Sequence, residues 1–341
     1  MLIYYVFIFY LLFTCMFKRK DGTYSVGLRF FALAFMFVIF AFRDVSVGAD
    51  TSTYESLYNS QYGWHEVGYV YIVNLANKLG ITFRGFLMLV SAFSVVSVGH
   101  FIKKYSEDYM FSLLMFVTVG LFTMYMTGIR QVISISILLW SFDFIIKKKW
   151  YLFFPSVIVA ALFHTSSWVF LPVYFIRWFK FSRKKIVAIC IIGLIVTLLF
   201  KENLWGIIAP YIPKQYDDFQ FNAKDYSTNI LVVLVDIFIL GFSLLYYKKT
   251  EVNRDYIDIM IMFQVIIIIL QVFGYSAMQI ARLAYYFSGA KLIIIPASIG
   301  NISKRNDRLI IVMAIVVLTI LKFAISIPGA YSQIDSYQFY F

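Results

Sequence analysis

Long apolar runs recur from one end of the chain to the other, and they constrain the fold more than any other feature of the sequence. A hydrocarbon core about 30 Å thick needs about 20 apolar residues per helix, and only helices and closed barrels satisfy the backbone there. Hydrophobic residues make up 62% of the chain and charged residues 14%. We therefore predict an all-α, polytopic integral membrane protein. Its apolar runs lie at 2–17, 27–42, 83–102, 109–125, 130–146, 186–201, 227–247, 255–274, 280–300 and 308–327.

The stretch 150–178 does not fit a simple span. It has about 29 residues, too many for an untilted helix and too few for two complete ones. His164, in "FHTSS", interrupts it near the middle. We predict a short helical hairpin with its tip at His164, because irregular backbone survives at membrane depth only where protein or a wet cavity surrounds it.

Basic clusters between the runs predict the orientation of the chain. With the amino terminus outside and a hairpin at 150–178, all of these clusters face the cytoplasm, as the positive-inside rule requires. We therefore predict about 12 transmembrane segments in one integral membrane domain, 1–341, with both termini outside. The clusters lie at 18–20, 103–104, 147–149, 177–185, 248–254 and 304–308.

Under this topology the polar segments gather on the outer face of the membrane. The segment 43–82 forms an outer loop with an amphipathic helix at about 65–80, and 202–226 forms a second outer loop. The formal charge of +12 comes from short clusters between apolar runs, so nucleic acid is not a predicted partner. We attribute the excess of positive charge to residues that orient the chain in the membrane and to residues that bind an anionic ligand.

Arginines at the ends of the apolar runs suggest an anion site on that face. Arg130, in "YMTGIRQ", is either a snorkelling anchor or a ligand for an anion, and guanidinium is the preferred planar partner of phosphate. Gln131 adds a neutral donor beside it. Arg43 is either a further anion ligand or the partner of Asp44 in a local surface ion pair.

A second arginine-bearing face is predicted in "YSAMQIARLAYY". Tyr275, Gln279, Arg282 and Tyr286 fall on one face of one helix, with Arg282 near its outer end. Arg282 can be a third anion ligand. Alternatively, it sets the membrane topology or lies at the membrane interface. Three arginines that converge on the outer face would be adequate to hold a pyrophosphate.

Four side chains on the outer face are candidates for acid or base catalysis: His164, Glu66, Asp50 and Asp44. An imidazole with a pKa of about 6.5 suits proton transfer at neutral pH, whereas the alternative for His164 is a core histidine bonded to the hydroxyls that follow it. Glu66 can instead be a helix-start carboxylate, and Asp50 a helix cap. The sequence contains no metal-binding, phosphate-loop or dinucleotide pattern, so we predict no metal and no cofactor.

Asp236 and Lys291 lie near the middle of two apolar runs. Ionisable residues at membrane depth are functional candidates, and these two can form a proton relay. They can equally pair with each other between two helices, and this interhelical pair is our prediction.

Four motifs together resemble a known family. The segments "FRDVSVGADTSTY" (42–54), "EVGY" (66–69), "GIRQVISISI" (128–137) and "ALFHTSSWVFLPV" (161–173) are similar, in this order and spacing, to the EpsG-type branch of the Wzy-like bacterial polysaccharide polymerases. The resemblance implies a GT-C-like, metal-independent glycosyltransferase of the bacterial inner membrane. Such an enzyme transfers a growing glycan from undecaprenyl pyrophosphate to the nonreducing end of a lipid-linked repeat unit, on the outer face and with inversion.

The resemblance also implies roles for the motif residues, while Arg282, Tyr275 and Gln279 are included for their predicted positions. The catalytic candidates are His164, Glu66 and Asp50, of which we predict His164 as the base. The predicted pyrophosphate ligands are Arg43, Arg130, Gln131 and Arg282. The predicted sugar contacts are Asp44, Tyr54, Tyr69, Tyr275 and Gln279, with Trp64 and Tyr125 as further aromatic candidates.

The implied partners are an undecaprenyl-pyrophosphate-linked oligosaccharide, membrane lipids, a flippase and a Wzz-like chain-length regulator.

Two other functions remain open. An O-antigen ligase would share the pyrophosphate site. A flippase for lipid-linked oligosaccharides would need polar residues through both leaflets, and its best support is Asp236 with Lys291.

Overall fold

The computed structural model describes residues 1–60, 66–179, 181–208, 230–248, 255–275, 278–327 and 333–341. In these ranges the regular elements are helices, apart from an isolated antiparallel β-bridge between Arg43 and Phe339. The predicted all-α class is therefore confirmed, and one or two helices occupy each predicted apolar run. The helices are α1 (Leu2–Cys15), α2 (Val26–Ala41), α3 (Thr51–Ser60), α4 (Val67–Lys78), α5 (Phe83–Tyr105), α6 (Tyr109–Thr118), α7 (Leu121–Thr127), α8 (Ile129–Ile146), α9 (Trp150–Phe163), α10 (Val173–Ile176), α11 (Arg183–Ile208), α12 (Ile230–Tyr246), α13 (Ile257–Phe273), α14 (Met278–Leu283), α15 (Gly289–Gly300) and α16 (Arg305–Ser326). Short 3₁₀ helices cover Thr165–Phe170 and Ala284–Tyr286.

The chain forms two compact units, where the sequence suggested one membrane domain. One unit comprises Met1–Tyr174 and Ile302–Phe341, and the other comprises Phe175–Asn301. The first unit contains the four motifs. The predicted second outer loop, 202–226, begins inside α11, and its residues 209–226 lie outside the described residues, as does most of the basic cluster 248–254.

Polar side chains fix where several of the apolar helices begin. The Ser25 hydroxyl accepts a hydrogen bond from the Leu28 amide at 3.2 Å at the start of α2. Thr82 does the same for α5 and Asp108 for α6. Each cap satisfies an amide that has no partner within its helix, so polar residues at the ends of apolar runs set the helix boundaries.

Three helices of the described residues are long and apolar enough to cross a membrane: α5, α8 and α16. Two bent pairs raise this number to five if each pair is one span. In the first pair, α6 and α7 meet at 63°, and Gly120 stands at the break with φ of +104°, which L side chains rarely adopt. The protein is thus a helical membrane protein by helix length and composition. The figure of about 12 segments stays a prediction.

The predicted chain reversal at His164 is present. Helix α9 ends there because His164 adopts an extended backbone, with φ −155° and ψ 112°. Phe153 and Phe154, near the start of α9, have their rings 5.4 and 5.5 Å from the ring of Tyr174 in α10. The segment after His164 therefore runs back along α9, as a hairpin requires.

The predicted amphipathic helix in 43–82 corresponds to α4, but its exposed face is apolar. Tyr69, Val73 and Ala76 are buried on one face. Val67 and Tyr71 are exposed on another. A helix with an apolar outer surface suits contact with lipid better than contact with water.

In the second unit, the predicted pair of Asp236 and Lys291 is confirmed. The Lys291 Nζ lies 2.5 Å from Asp236 Oδ1, joining α12 to α15. Gln264 Nε2, on α13, donates to the same carboxylate oxygen at 3.2 Å. All three side chains are buried, and mutual pairing offsets the large cost of placing single charges there.

The last described segment, 333–341, lies against the loop that follows α2. The amides of Asp44 and Gly48 donate to the carbonyls of Gln338 and Gln333 at 2.9 and 3.0 Å. The Tyr337 hydroxyl donates to the Ile39 carbonyl at 3.1 Å. This segment thus fixes the first motif, which leads directly into α3.

Candidate functional site

Glu66, Arg130 and His164 come together in the first unit, although they are far apart in the sequence. Arg130 Nη1 donates a short hydrogen bond to Glu66 Oε2. His164 Nδ1 lies 3.2 Å from Glu66 Oε1. One carboxylate therefore joins the guanidinium to the imidazole, and we call these three residues the Glu66 cluster.

Each member of the Glu66 cluster stands at the end of a helix. Glu66 is the N-cap residue of α4, although its side chain makes no capping bond and points to the cluster instead. Arg130 lies in the first turn of α8, and His164 follows the last residue of α9. Tyr54, on α3, holds Arg130 from another side, since its hydroxyl accepts a hydrogen bond from Arg130 Nε at 3.2 Å.

Close packing of α4 on α9 sets the distance between Glu66 and His164. Gly68 lies against the end of α9, where a Cβ atom on Gly68 would be 2.8 Å from both the Cβ and the carbonyl oxygen of Leu162. Such contacts are too short for any residue with a side chain. The glycine in "EVGY" thus permits the approach that brings the carboxylate to the imidazole.

We expect Gly68→Ala to destabilise the protein by about 1–3 kcal/mol and to reduce its activity, because the added methyl group must push α4 away from the α9 backbone. Thermal unfolding in detergent and a polymerisation assay measure the two effects. Gly241→Ala is the matched control, since a Cβ at Gly241 in α12 meets nothing within 4 Å. A Gly68→Ala protein with control-like stability and activity would show that the close approach is unimportant.

The pKa of Glu66 reports how strongly the cluster holds the ionised carboxylate. Burial raises this pKa, but the hydrogen bond from His164 and the charge of Arg130 outweigh it and lower the pKa from 4.5 to about 2. Glu66 is therefore ionised at neutral pH and is a poor general base. The ionised carboxylate accepts a hydrogen bond from the N–H of His164 Nδ1, so a neutral imidazole in this position carries its lone pair on Nε2.

A lowered folded-state pKa makes stability depend on pH in a defined direction. The contribution of Glu66 is fully present above its ordinary pKa of 4.5, amounts to about 3 kcal/mol, and is lost as the pH falls towards 2. The difference in unfolding temperature between the wild type and Glu66→Gln should therefore shrink as the pH falls from 5 to 3. Glu55→Gln, on α3, is the control. A constant difference between wild type and Glu66→Gln over that range would contradict the assigned pKa.

Two predicted sugar contacts, Tyr54 and Tyr69, support the cluster from within the core. Tyr69 has no exposed surface, and its ring lies 6.0 Å from that of Tyr54 and 5.9 Å from that of Phe86. Tyr125, a further candidate, is buried against Phe116 with ring centroids 5.0 Å apart. In this conformation the three rings pack in the core, and their contacts with sugar stay predictions. Trp64 lies outside the described residues.

The structure does not bring Arg43 to the Glu66 cluster. Its guanidinium is only 2% exposed and donates to the Phe40 carbonyl at 2.5 Å. Asp44 instead accepts from the amide and hydroxyl of Ser46 at 3.0 and 2.8 Å. The alternative ion pair with Asp44 is therefore wrong for this conformation, because Asp44 binds Ser46 and the carboxyl-terminal segment covers the arginine. The role of Arg43 as a pyrophosphate ligand stays a prediction.

Gln131 lies next to Arg130 in the sequence, and Asp50 lies one turn before Tyr54, which binds Arg130. Asp50 directly precedes α3, the place predicted for a cap, and its carbonyl accepts from the Tyr54 amide at 2.9 Å. Gln131 follows Arg130 in α8 and is buried. Their roles as catalytic group and phosphate ligand stay predictions.

Arg282, Gln279 and Tyr275 belong to the second unit. Arg282 and Gln279 lie in α14, whereas Tyr275 precedes that helix and Tyr286 lies in the 3₁₀ helix after it. The predicted single helix is therefore divided, because the chain changes from α14 to a 3₁₀ helix at Ala284 and Tyr275 lies before α14. Pyrophosphate and sugar contacts by these residues stay predictions.

Sequence reasoning placed Glu66, Arg130 and His164 on one face but gave them separate roles. The Glu66 side chain is only 7% exposed. The glycine two residues after Glu66 was the available signal, since a glycine near a helix start can mark close helix packing. In the described residues, no three His, Cys, Asp or Glu side chains are grouped to hold a metal ion.

The sequence model of the EpsG family matches residues 26–339, a range that includes all four motifs and most of the segment 333–341. No curated protein and no solved structure matches the chain.

Proposed function

The chain belongs to the EpsG family, and from this membership and the Glu66 cluster we propose that it is a polysaccharide polymerase of the bacterial inner membrane. The proposed donor is a growing glycan on undecaprenyl pyrophosphate, and the proposed acceptor is the nonreducing end of a lipid-linked repeat unit. The observation that supports this function most directly is the Glu66 carboxylate, which joins an arginine to a histidine. Glycosyl transfer from a pyrophosphate needs both an anion ligand and a base.

In the proposed reaction His164 is the base. Its Nε2 takes the proton of the acceptor hydroxyl as that oxygen attacks the anomeric carbon of the donor. The bond from the anomeric carbon to the pyrophosphate oxygen breaks, and the lipid pyrophosphate leaves with the electron pair. A single displacement of this kind inverts the anomeric carbon. Glu66 fixes the imidazole through Nδ1 and stabilises the imidazolium that forms.

Arg130 is the proposed ligand of the leaving pyrophosphate. A guanidinium has five N–H donors and can contact phosphate and carboxylate together. With Glu66 ionised and His164 neutral, the formal charge of the cluster is zero. Proton transfer to His164 makes it positive as negative charge develops on the leaving group. The cluster is thus more attractive to the transition state than to the bound substrates, which is the condition for catalysis.

We propose that the Glu66 cluster faces the outside of the cell. In a variant without Cys15 and Cys190, a membrane-impermeant thiol reagent added to intact cells should then label cysteine at Ser46 and not at Arg183. Both side chains are exposed, so burial does not decide the result. Labelling at position 183 from outside would reverse the predicted orientation of the hairpin 150–178.

A deletion strain tests the function. We expect loss of polymer with retention of a single repeat unit on the final acceptor, and recovery of the polymer with the wild-type gene. Loss of all attached glycan, with polymer left on the lipid carrier, would indicate a ligase. Accumulation of single units on the cytoplasmic face would indicate a flippase. Either of the last two results would overturn the polymerase.

A further inference from the structure

An apolar groove lies beside the Glu66 cluster in the first unit. It has a volume of about 380 Å³ and is lined by hydrophobic side chains of α4, α5, α8 and the end of α9, which include Leu75, Phe93, Ile133, Ile137 and Phe163. This volume falls in the range of small-molecule sites, about 300–1,000 Å³. Its lining offers almost no polar group, so the groove suits neither a sugar nor a peptide backbone.

The groove opens onto the exposed apolar side of α4. Val67, Tyr71, Leu75 and Leu79 follow one another at intervals of four residues and are 44–72% exposed. Leu75 and Leu79 also line the groove. Because α5 and α8 are long and apolar enough to cross a membrane, a lipid chain beside them can reach this apolar surface and the groove. A chain in the membrane can therefore enter without crossing water.

Two residues that line the groove are close in sequence to members of the Glu66 cluster. Ile133 lies one turn after Arg130 on α8, a rise of about 5 Å. Phe163 directly precedes His164 at the end of α9. Ile133 and Phe163 also pack in one hydrophobic core with Tyr54 and Tyr69, which hold the cluster. A hydrocarbon chain in the groove would thus lie next to the helix ends that carry Arg130 and His164.

We propose that this groove binds the polyprenyl chain of the donor, so that the chain leads its pyrophosphate to Arg130. The inference depends on the proposed function for the identity of the lipid, but its geometry is independent of turnover. An amphiphile with an anionic head and a long apolar chain matches Arg130 and the groove together. The groove then acts as a guide that sets the depth and direction of the anomeric carbon relative to His164.

Photo-crosslinking tests the proposal without any need for catalysis. The probe is undecaprenyl pyrophosphate with a diazirine on its hydrocarbon chain, added to the purified protein in detergent. We expect crosslinked peptides from α4, α5 and α8, with competition by unlabelled undecaprenyl pyrophosphate and not by phosphatidylglycerol. Crosslinks elsewhere, or equal competition by phosphatidylglycerol, would overturn the proposal.

A groove-filling variant gives a second measurement. Ile137→Trp should reduce crosslinking at least about tenfold, whereas Ile158→Trp, on an exposed part of α9 outside the groove, should leave it unchanged. Thermal unfolding measures whether both variants are folded. If Ile137→Trp does not fold, the positions of the crosslinks in the wild type test the groove instead. Undiminished crosslinking in folded Ile137→Trp would contradict the proposal. Groove crosslinks without any polymer would overturn the polymerase function alone.

Discussion

His164→Ala is expected to reduce glycosyl transfer by about 10²- to 10⁴-fold, the usual contribution of a general base. The reason is geometric, since Glu66 engages Nδ1 and thereby directs Nε2 to the acceptor. The substitution should change the rate of the chemical step and leave donor binding nearly intact, because Arg130 keeps its contacts with Glu66 and Tyr54. Initial rates with synthetic lipid-linked repeat units, at saturating substrate, measure this loss.

His100→Ala is the matched control for this loss of the imidazole. His100 lies in α5, where its ring stacks on that of Trp140 with centroids 3.9 Å apart. Its replacement should leave the rate within about twofold of the wild type. His164→Gln adds a second comparison, because an amide can still donate to Glu66 but cannot take up a proton. Substantial turnover by folded His164→Gln would exclude His164 as the base.

Arg130→Lys is expected to lower kcat/KM by about 10- to 100-fold with normal expression. An ammonium group is a point charge and cannot contact Glu66, Tyr54 and a phosphate in the planar arrangement of a guanidinium. The expected loss corresponds to one charge-assisted hydrogen bond, about 1.5–3 kcal/mol. Rates at low donor concentration measure it.

Arg29→Lys provides the matched control for Arg130→Lys. Both guanidinium groups lie 5.8 Å from the centre of a tyrosine ring, Tyr109 for Arg29 and Tyr54 for Arg130. A general sensitivity to the exchange of arginine for lysine would therefore affect both variants alike. Near-normal kcat/KM in Arg130→Lys, or equal losses in the two variants, would count against a phosphate-binding role for Arg130.

Much of the helical architecture could be predicted from hydropathy, because apolar runs of membrane length can satisfy their backbone only as helices. The same signal predicted the reversal at His164 and the buried pair of Asp236 and Lys291. Hydropathy does not report where a helix bends. The break at Gly120 comes from a single left-handed residue inside an otherwise uniform apolar run.

The members of the candidate site were predictable, but their contacts were not. Their residue types and positions at helix ends marked Glu66, Arg130 and His164, whereas the carboxylate between the other two depends on how α4 packs on α9. That packing is possible because Gly68 has no Cβ atom to collide with Leu162. The same limitation explains the error at Arg43, because the segment 333–341 that encloses it lies almost 300 residues away in the sequence.

The most direct test of the Glu66 cluster as a polymerase site is the product pattern of the purified protein in lipid vesicles. Synthetic lipid-linked repeat units are the only substrate, and the products are separated by size. We predict that the wild type forms a ladder of lipid-linked oligomers, with one lipid pyrophosphate released for each unit added, and that folded His164→Ala leaves the starting unit unchanged. No ladder from the wild type, or a ladder from His164→Ala at the wild-type rate, would contradict this account.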